Sequence, residues 1–314
     1  MLMKQISVFD AHCDTISRCW REYEGLYANS GMISLERTAG FAQYCQFFAL
    51  WTADGYTGYP LGGDSVERAY HALLRCFKDQ MARNSEKIVQ CRTAGEAERA
   101  NRQGKAAAFL AVEGAELLGC DPARLDEAAA EGVAAINLTW NHANALSGSS
   151  KEEPERGLSP LGREFVAKME DLHILVDVSH LSEAGFWDVA ELARRPFIAS
   201  HSNAKLVWDH TRSLTDGQIN AIIKNQGVIG LNFYEEFVGG SRDLDMVRAH
   251  LDHLLELGGE KTVALGGDWD GCDTIADLPA IDSLPRLYEH LLHHGYRETV
   301  VQDLFYNNLM RVVR

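Results

Sequence analysis

The sequence lacks paired cysteine motifs. It contains seven cysteines, an odd number, and no two of them have the CxxC spacing of a zinc or dithiol site. This pattern fits reduced thiols in a cytosol and argues against a disulfide framework or a cysteine metal site. Residues 1–5 lead directly into the first apolar run, so we expect no signal peptide and a cytoplasmic protein.

Long apolar runs and an excess of positive charge are also absent. No apolar run approaches the roughly 20 residues that a helix needs to cross a bilayer, so we expect no membrane partner. The 30 Lys and Arg residues are outnumbered by 45 Asp and Glu residues, which gives a formal net charge of −15. Such a charge argues against a nucleic-acid partner. Without an internal repeat or a linker-like stretch, residues 1–314 are expected to form a single domain.

The clearest pattern is an alternation of short, continuously apolar strands with amphipathic helices. It indicates a parallel sheet covered on both faces, and about eight strands at this length favour a single (β/α)8 TIM-type barrel. A doubly wound open sheet is the alternative. The predicted strands lie near residues 6–9, 43–51, 106–112, 133–138, 174–178, 197–201, 227–234 and 262–268.

Histidines and carboxylates interrupt these apolar runs at the carboxyl ends of the strands. In a barrel those ends converge on one face. Three imidazoles and three carboxylates are enough for a binuclear metal site, in which two divalent ions would activate water and one of the three carboxylates, Asp268, would shuttle its proton. Each residue alone could instead be structural, as a helix cap or a hydrogen-bonded core histidine. The residues are His12, Asp14, Glu113, His180, His201 and Asp268.

Five segments around these residues carry a family resemblance. They are DAHCDT at 10–15, VEG at 112–114, DVSHLS at 177–182, SHSNA at 200–204 and GGDWDG at 266–271. In this order they resemble the motif series of the membrane dipeptidase (renal dipeptidase) family of zinc peptidases, a branch of the amidohydrolase superfamily. The resemblance covers nearly the whole chain. It implies a metal-dependent hydrolase barrel and a dipeptidase, and it also suggests a homodimer.

The resemblance also implies roles for the strand-end residues. His12 and Asp14 would hold one Zn²⁺ and His180 and His201 a second, with Glu113 and a water or hydroxide as bridges. Asp268 would be the catalytic acid and base. The expected reaction is attack of the metal-bridging hydroxide on the peptide bond of a free dipeptide, with L-Xaa-D-Xaa dipeptides among the candidate substrates.

Three further residues are predicted to bind the substrate. Arg212 matches a family arginine by its spacing from His201, and a guanidinium suits the dipeptide carboxylate. Tyr234 matches a residue near the substrate. Trp140 stands where family members of the animal type carry a substrate-contacting histidine. His142 is two residues further on, on the same face if the strand continues, so it is the candidate substitute.

Other functions remain open at this stage. A related amidohydrolase reaction on an N-acyl amino acid, a lactam or a lactone would use the same metal core. A non-enzymatic metal-binding barrel is a third possibility. The remaining grouped histidines, His250 and His253 on one helix and His290, His293 and His294 on another, are interpreted as solvated helix faces.

Overall fold

A computed structural model describes the protein over residues 5–53 and 66–313. The strands are β1 Ser7–Cys13, β2 Gln43–Leu50, β3 Ile88–Gln90, β4 Ala106–Glu113, β5 Val133–Asn137, β6 Leu175–Asp177, β7 Ile198–Ala199, β8 Val228–Leu231 and β9 Val263–Leu265. All pairings between these strands are parallel, and in the ring β1–β2–β4–β5–β6–β7–β8–β9 the last strand pairs again with the first. The ring is the predicted eight-stranded (β/α)8 barrel. The strand outside the ring, β3, pairs with the amino-terminal half of β4.

Helices connect the strands and cover the barrel. They begin where polar residues can cap free backbone N–H groups; Thr215, for example, forms a capping box with Gln218. None of the described helices has the length and apolar character needed to cross a membrane. The α-helices are α1 Thr15–Glu22, α2 Leu35–Thr38, α3 Val66–Arg83, α4 Ala94–Arg102, α5 Leu125–Glu131, α6 Pro160–Asp171, α7 Glu183–Leu192, α8 Asp216–Lys224, α9 Glu235–Val238, α10 Leu244–Glu256, α11 Leu284–His293, α12 Glu298–Gln302 and α13 Asn308–Val312, and a π-helical turn occupies Asp303–Asn307.

The barrel interior is filled by a small apolar cluster drawn from several strands. The rings of Phe9, Phe47 and Phe109 stack on one another, with centroids 5.1–5.6 Å apart. Residues of the last helix, including Leu309, pack against the same cluster. Along β4, side chains alternate between the two faces, so Phe109 and Glu113 share the inner face. Glu113 therefore ends the strand directly above the packed interior.

The interpretation of His250 and His253 as a solvated face is wrong. His250 is fully buried, its Nδ1 accepts the backbone N–H of Ala204, and its Nε2 lies 3.1 Å from the carbonyl oxygen of Val238. His253 is also buried and lies 2.8 Å from Asp216. Both are core histidines that join α10 to neighbouring segments.

Candidate active site

All six predicted strand-end residues lie at the mouth of the barrel. Direct backbone contacts hold the ends of β1 and β9 together there, because Asp14 N–H donates to the carbonyl oxygen of Trp269 at 2.8 Å. Every one of the six is buried or nearly so. The convergence expected from the barrel topology is therefore present.

One half of the site surrounds His12. Its Nε2 atom lies 3.5 Å from Glu113 Oε2, 3.8 Å from Asp14 Oδ2 and 3.9 Å from Asp268 Oδ1. Within the described residues neither this nitrogen nor Asp14 Oδ1 has a hydrogen-bond partner, although both are shielded from water. A buried polar atom without a partner is costly, and a cation among these four groups would remove the cost.

The other half of the site surrounds the second carboxylate oxygen of Glu113. Oε1 lies 2.9 Å from His180 Nε2 and 3.6 Å from His201 Nε2, and the two nitrogens are 2.9 Å apart. The two oxygens of Glu113 thus face different histidines, as expected of a bridging ligand. Two overlapping groups here have donor atoms close enough together to hold an ion, His12–Glu113–His201 and His12–Asp14–Asp268; both include His12, and neither includes His180. The second group places Asp268, predicted only as the proton shuttle, within reach of an ion as well.

The outer nitrogens of the paired histidines are held by neighbouring polar groups. His180 Nδ1 lies 3.0 Å from Asn141 Oδ1, and His201 Nδ1 lies 2.7 Å from the Ser200 hydroxyl. Since Asn141 Oδ1 can only accept, His180 carries its proton on Nδ1 and keeps the Nε2 lone pair free. Such contacts orient metal-binding histidines. Sequence reasoning did not identify Asn141 as a site residue.

Asp10 supports the site from below and was also missed. It is fully buried, and its carboxylate accepts four hydrogen bonds: from His12 N–H and Gln46 Nε2 on Oδ1, and from Gly267 N–H and Trp269 Nε1 on Oδ2. Burial raises the pKa of Asp10, and these four donors each oppose that rise. Asp10 therefore joins β1, β2 and the end of β9 directly beneath His12.

The position of Asp268 depends on an unusual backbone and on one asparagine. Asn232 Nδ2 donates to Asp268 Oδ2 at 2.9 Å, which leaves Oδ1 facing His12. Asp268 and His180 both have positive φ, 59° and 70°. Such conformations are uncommon for residues with a side chain and cluster at functional sites.

A glycine allows the two aspartates to approach. A Cβ atom at Gly271 would lie 2.1 Å from Asp14 Oδ2 and 2.9 Å from Asp268 Oδ1. Any larger residue would therefore push at least one carboxylate out of the site.

The ionisable groups separate into two classes. Burial would lower the pKa of His12, but the negative charges of the nearby Glu113 and Asp14 carboxylates raise it well above its usual value. Burial raises the pKa of Glu113 to about 7. Burial, reinforced by the positive charges of Arg212 and His12, lowers the pKa values of His180 and His201 well below the usual range. These two imidazoles are therefore neutral, which is the form that binds metal.

A cavity of about 390 Å³ opens above the histidines and carboxylates. Tyr234 lines it, as predicted for a substrate contact, and so does Trp140, whose ring meets that of Trp51 at 5.1 Å. Lys151 also lines the cavity. Tyr56 and Tyr59 follow the second predicted strand in the sequence and are further candidates for the pocket wall, but they lie outside the described residues. Its lining residues are Asp14, Trp51, Glu113, Trp140, Asn141, Lys151, His180, Tyr234, Phe237, Asp268, Gly271, Cys272 and Asp273.

The other two predicted substrate residues, Arg212 and His142, are not among the residues that line this cavity, and their surroundings differ. Arg212 is 4% exposed, lies 5.6 Å from the ring centre of Phe237, and has Nε and Nη2 atoms without hydrogen-bond partners in the described chain. Burial lowers its pKa to about 10, against the attraction of Asp268 and Glu113. His142 is partly exposed, lies 3.4 Å from Glu152, and is not among the lining residues.

Comparison with known proteins gives one family. The model of "Membrane dipeptidase (Peptidase family M19)" matches residues 1–314. A Klebsiella pneumoniae relative, described as an uncharacterized protein in the pqqA 5′ region, is 34% identical over 265 residues, which are 80% of this chain and 97% of the relative.

Solved structures of metallopeptidases are similar over nearly the whole chain. A crystal structure named dipeptidase AC, a metallopeptidase of family M19, has a TM-score of 0.89 at 30% identity and covers 99% of this chain and 98% of its own. A Rhodobacter sphaeroides metallopeptidase, crystallised with a phosphinate mimic of the dipeptide L-Ala-D-Ala, has a TM-score of 0.87 at 30% identity and covers 99% of both chains.

Proposed function

The chain belongs to the membrane dipeptidase family, peptidase family M19, and from that premise we propose that its barrel-mouth centre hydrolyses the peptide bond of free dipeptides. Membership confirms the resemblance read from the sequence motifs and makes the chain a metallo-dipeptidase. The single observation that carries our assignment of the centre is the position of Glu113, whose two oxygens face different histidines.

The donor set fits two zinc ions. His12 and Asp14 would hold one and His180 and His201 the other, with Glu113 between them. The fit rests on the unpartnered Nε2 of His12 and Oδ1 of Asp14 within the described residues, and on imidazole and carboxylate being ordinary zinc ligands. When bound, such a pair supplies an activated water as nucleophile and polarises the scissile carbonyl.

Arg212 is proposed to bind the carboxylate at the substrate's C-terminus. A buried guanidinium with unpartnered N–H groups gains most from an anionic partner, and its planar geometry suits a carboxylate. Its two free donors are Nε and Nη2. This contact would restrict the enzyme to substrates with a free carboxylate close to the cleaved bond.

Asp268 is proposed to carry the proton. Its Oδ2 is held by Asn232, its Oδ1 faces His12, and the residue lines the cavity. A carboxylate fixed in this way can accept a proton from the attacking water at Oδ1 and deliver it to the leaving amine.

The cavity walls are proposed to set the side-chain preference. Trp51 and Trp140 form an aromatic wall close to His180, and Trp140 occupies the position of the animal-type histidine. Since His142 lies beside Glu152, its role as a substitute would require it to turn towards the cavity. We propose that L-Xaa-D-Xaa dipeptides are accepted; the bound mimic in the Rhodobacter enzyme supports this.

The test is a substrate panel with zinc-loaded protein: L-Xaa-L-Xaa and L-Xaa-D-Xaa dipeptides, tripeptides and N-acetylated dipeptides. We expect turnover of free dipeptides and its loss on chelation. Activity on N-acyl amino acids, lactams or lactones, with no activity on dipeptides, would support the alternative amidohydrolase reaction at the same metal centre. No activity on any of them, with zinc bound, would favour a non-enzymatic metal-binding barrel.

We further propose a homodimer in the cytoplasm. The free state of all seven cysteines supports a reducing compartment. Light scattering of the purified protein tests the assembly, and a concentration-independent monomer mass would contradict it.

A further inference from the structure

A second group of metal-binding side chains lies on the outside of the barrel. His290 and His294 are four residues apart near the carboxyl end of α11, and such a pair shares one helix face. Asp245, in the first turn of α10, meets them there, and one donor atom from each of the three lies within 4.8 Å of the others. The sequence alone favoured a solvated helix face, because these histidines lie far from the strand-end residues.

The spacing of the donor atoms suits an ion with tetrahedral coordination. His290 Nε2 lies 3.3 Å from Asp245 Oδ1, and His294 Nε2 lies 3.9 Å from the same oxygen. Zinc–ligand bonds of about 2.0–2.2 Å at tetrahedral angles place donor atoms about 3.3–3.6 Å apart. A small movement of His294, whose side chain is 41% exposed, would complete the geometry.

Both imidazoles have an Nε2 atom that faces Asp245. His294 Nδ1 donates to the carbonyl oxygen of His290 at 2.8 Å, so the proton is on Nδ1 and the lone pair is on Nε2. This is the arrangement that orients metal-binding histidines. His290 Nε2 is shielded from solvent and has no hydrogen-bond partner among the residues described, despite its proximity to Asp245.

The surrounding charges both favour and oppose a cation. The carboxyl end of α11 carries the negative end of the helix dipole, which favours a cation beside His290 and His294. Arg248 opposes binding, because its Nε and Nη2 both donate to Asp245 Oδ1, each at 3.3 Å. Arg248 also has a second carboxylate partner, Asp252, at 3.0 Å, so it can give up the first. We expect weaker binding here than at the buried centre.

We propose that His290, His294 and Asp245 form an additional site for Zn²⁺ or a similar borderline divalent cation, with a fourth position open to water. The ion would link α10 to α11. Because it would bind the folded chain and not the unfolded one, it would stabilise the fold as its occupancy rises. This site is independent of the proposed peptidase reaction.

The test compares zinc binding by wild-type protein, H290Q, H294Q and the matched control H293Q. His293 is exposed on the same helix and is outside the three-residue group. Isothermal titration and metal analysis should show one zinc fewer per chain in H290Q and in H294Q than in wild type and H293Q. With the two buried sites already filled, further Zn²⁺ should raise the Tm of the latter two only, and dipeptide hydrolysis should be equal in all four.

Equal zinc content in all four proteins would overturn the proposal, and so would a loss shared by H293Q. H294Q tests the proposal even if H290Q does not fold, because the His294 side chain is 41% exposed and tolerates substitution better than that of His290, which is 19% exposed.

Discussion

Replacing Asn141 by alanine should weaken metal binding at the His180 half of the site. Asn141 Oδ1 is the acceptor that fixes the proton of His180 on Nδ1, at 3.0 Å. Without it, His180 can move that proton to Nε2 and donate it to Glu113 Oε1, only 2.9 Å away. The ion would then have to displace this hydrogen bond.

The size of the effect follows from the hydrogen bond that is lost. His180 is 7% exposed, so its Nδ1–H would be left without a partner in a nearly dry site. An unsatisfied buried donor costs about 1–3 kcal/mol. Since about 1.4 kcal/mol corresponds to a tenfold change in affinity, the expected loss of zinc affinity is roughly 5- to 150-fold. Removing a residue that orients a metal ligand usually weakens binding by about 10- to 100-fold, which lies within this range.

Competition with a chromogenic chelator in zinc buffers measures this affinity. Asn84→Ala is the matched control, since Asn84 follows α3 and is not among the cavity-lining residues. We expect a 10- to 100-fold weaker second zinc in Asn141→Ala and no change in the control. A folded Asn141→Ala protein with wild-type affinity would refute the claim that Asn141 orients His180. Lower activity at full zinc content would make it a substrate contact instead.

The remaining predictions concern the proton carrier, the substrate anchor and pH. Asp268→Asn should lower kcat by about 10²–10⁴-fold while zinc content and Tm stay near wild type; a kcat within tenfold of wild type would exclude it as the proton carrier. Arg212→Met should reduce kcat/KM for dipeptides by at least about 10²-fold, since each hydrogen bond to a charged group contributes about 1.5–3 kcal/mol, whereas exposed Arg242→Met should not. With a pKa of about 7, Glu113 holds a proton in the metal-free protein at lower pH. Zinc must displace that proton, so zinc affinity should fall about tenfold per pH unit below 7 for each proton released. Titration calorimetry in buffers of different ionisation enthalpy counts the released protons. A zinc affinity that does not change with pH would contradict this prediction.

Much of the fold could be predicted because the barrel strands are continuously apolar. Strands buried on both faces show this pattern, and all eight predicted strands form the ring. Helix α8 could be placed as well, because Thr215 is a typical N-cap residue type and caps the observed helix Asp216–Lys224. The strand-end residues could be identified because a charged side chain is conspicuous at the end of an apolar run, as Glu113 is after Val112.

Residues whose roles depend on distant partners could not be predicted. Asp10 resembles an ordinary polar interruption until Gly267 and Trp269 are seen to donate to it. Asn141 and Asn232 are common loop residues in sequence, and their contacts with His180 and Asp268 arise only in the folded barrel. Such residues carry no local pattern.

The burial of His250 did have a local signal. Val247, Leu251 and Leu254 recur at helical spacing and are buried, and His250 lies on the same side of α10. Counting that period, rather than grouping His250 with His253 as a polar pair, would have placed it in the core.

The most direct measurement is a titration of metal-free protein with Zn²⁺ while hydrolysis of L-Ala-D-Ala is followed. The donor set predicts no activity without metal, and full activity once the two buried sites around Glu113 are filled. Glu113→Gln, which removes the charge between the two histidine groups, should need far more zinc and remain less active. Full hydrolysis by the metal-free protein, or a Glu113→Gln variant that titrates like wild type, would contradict the account.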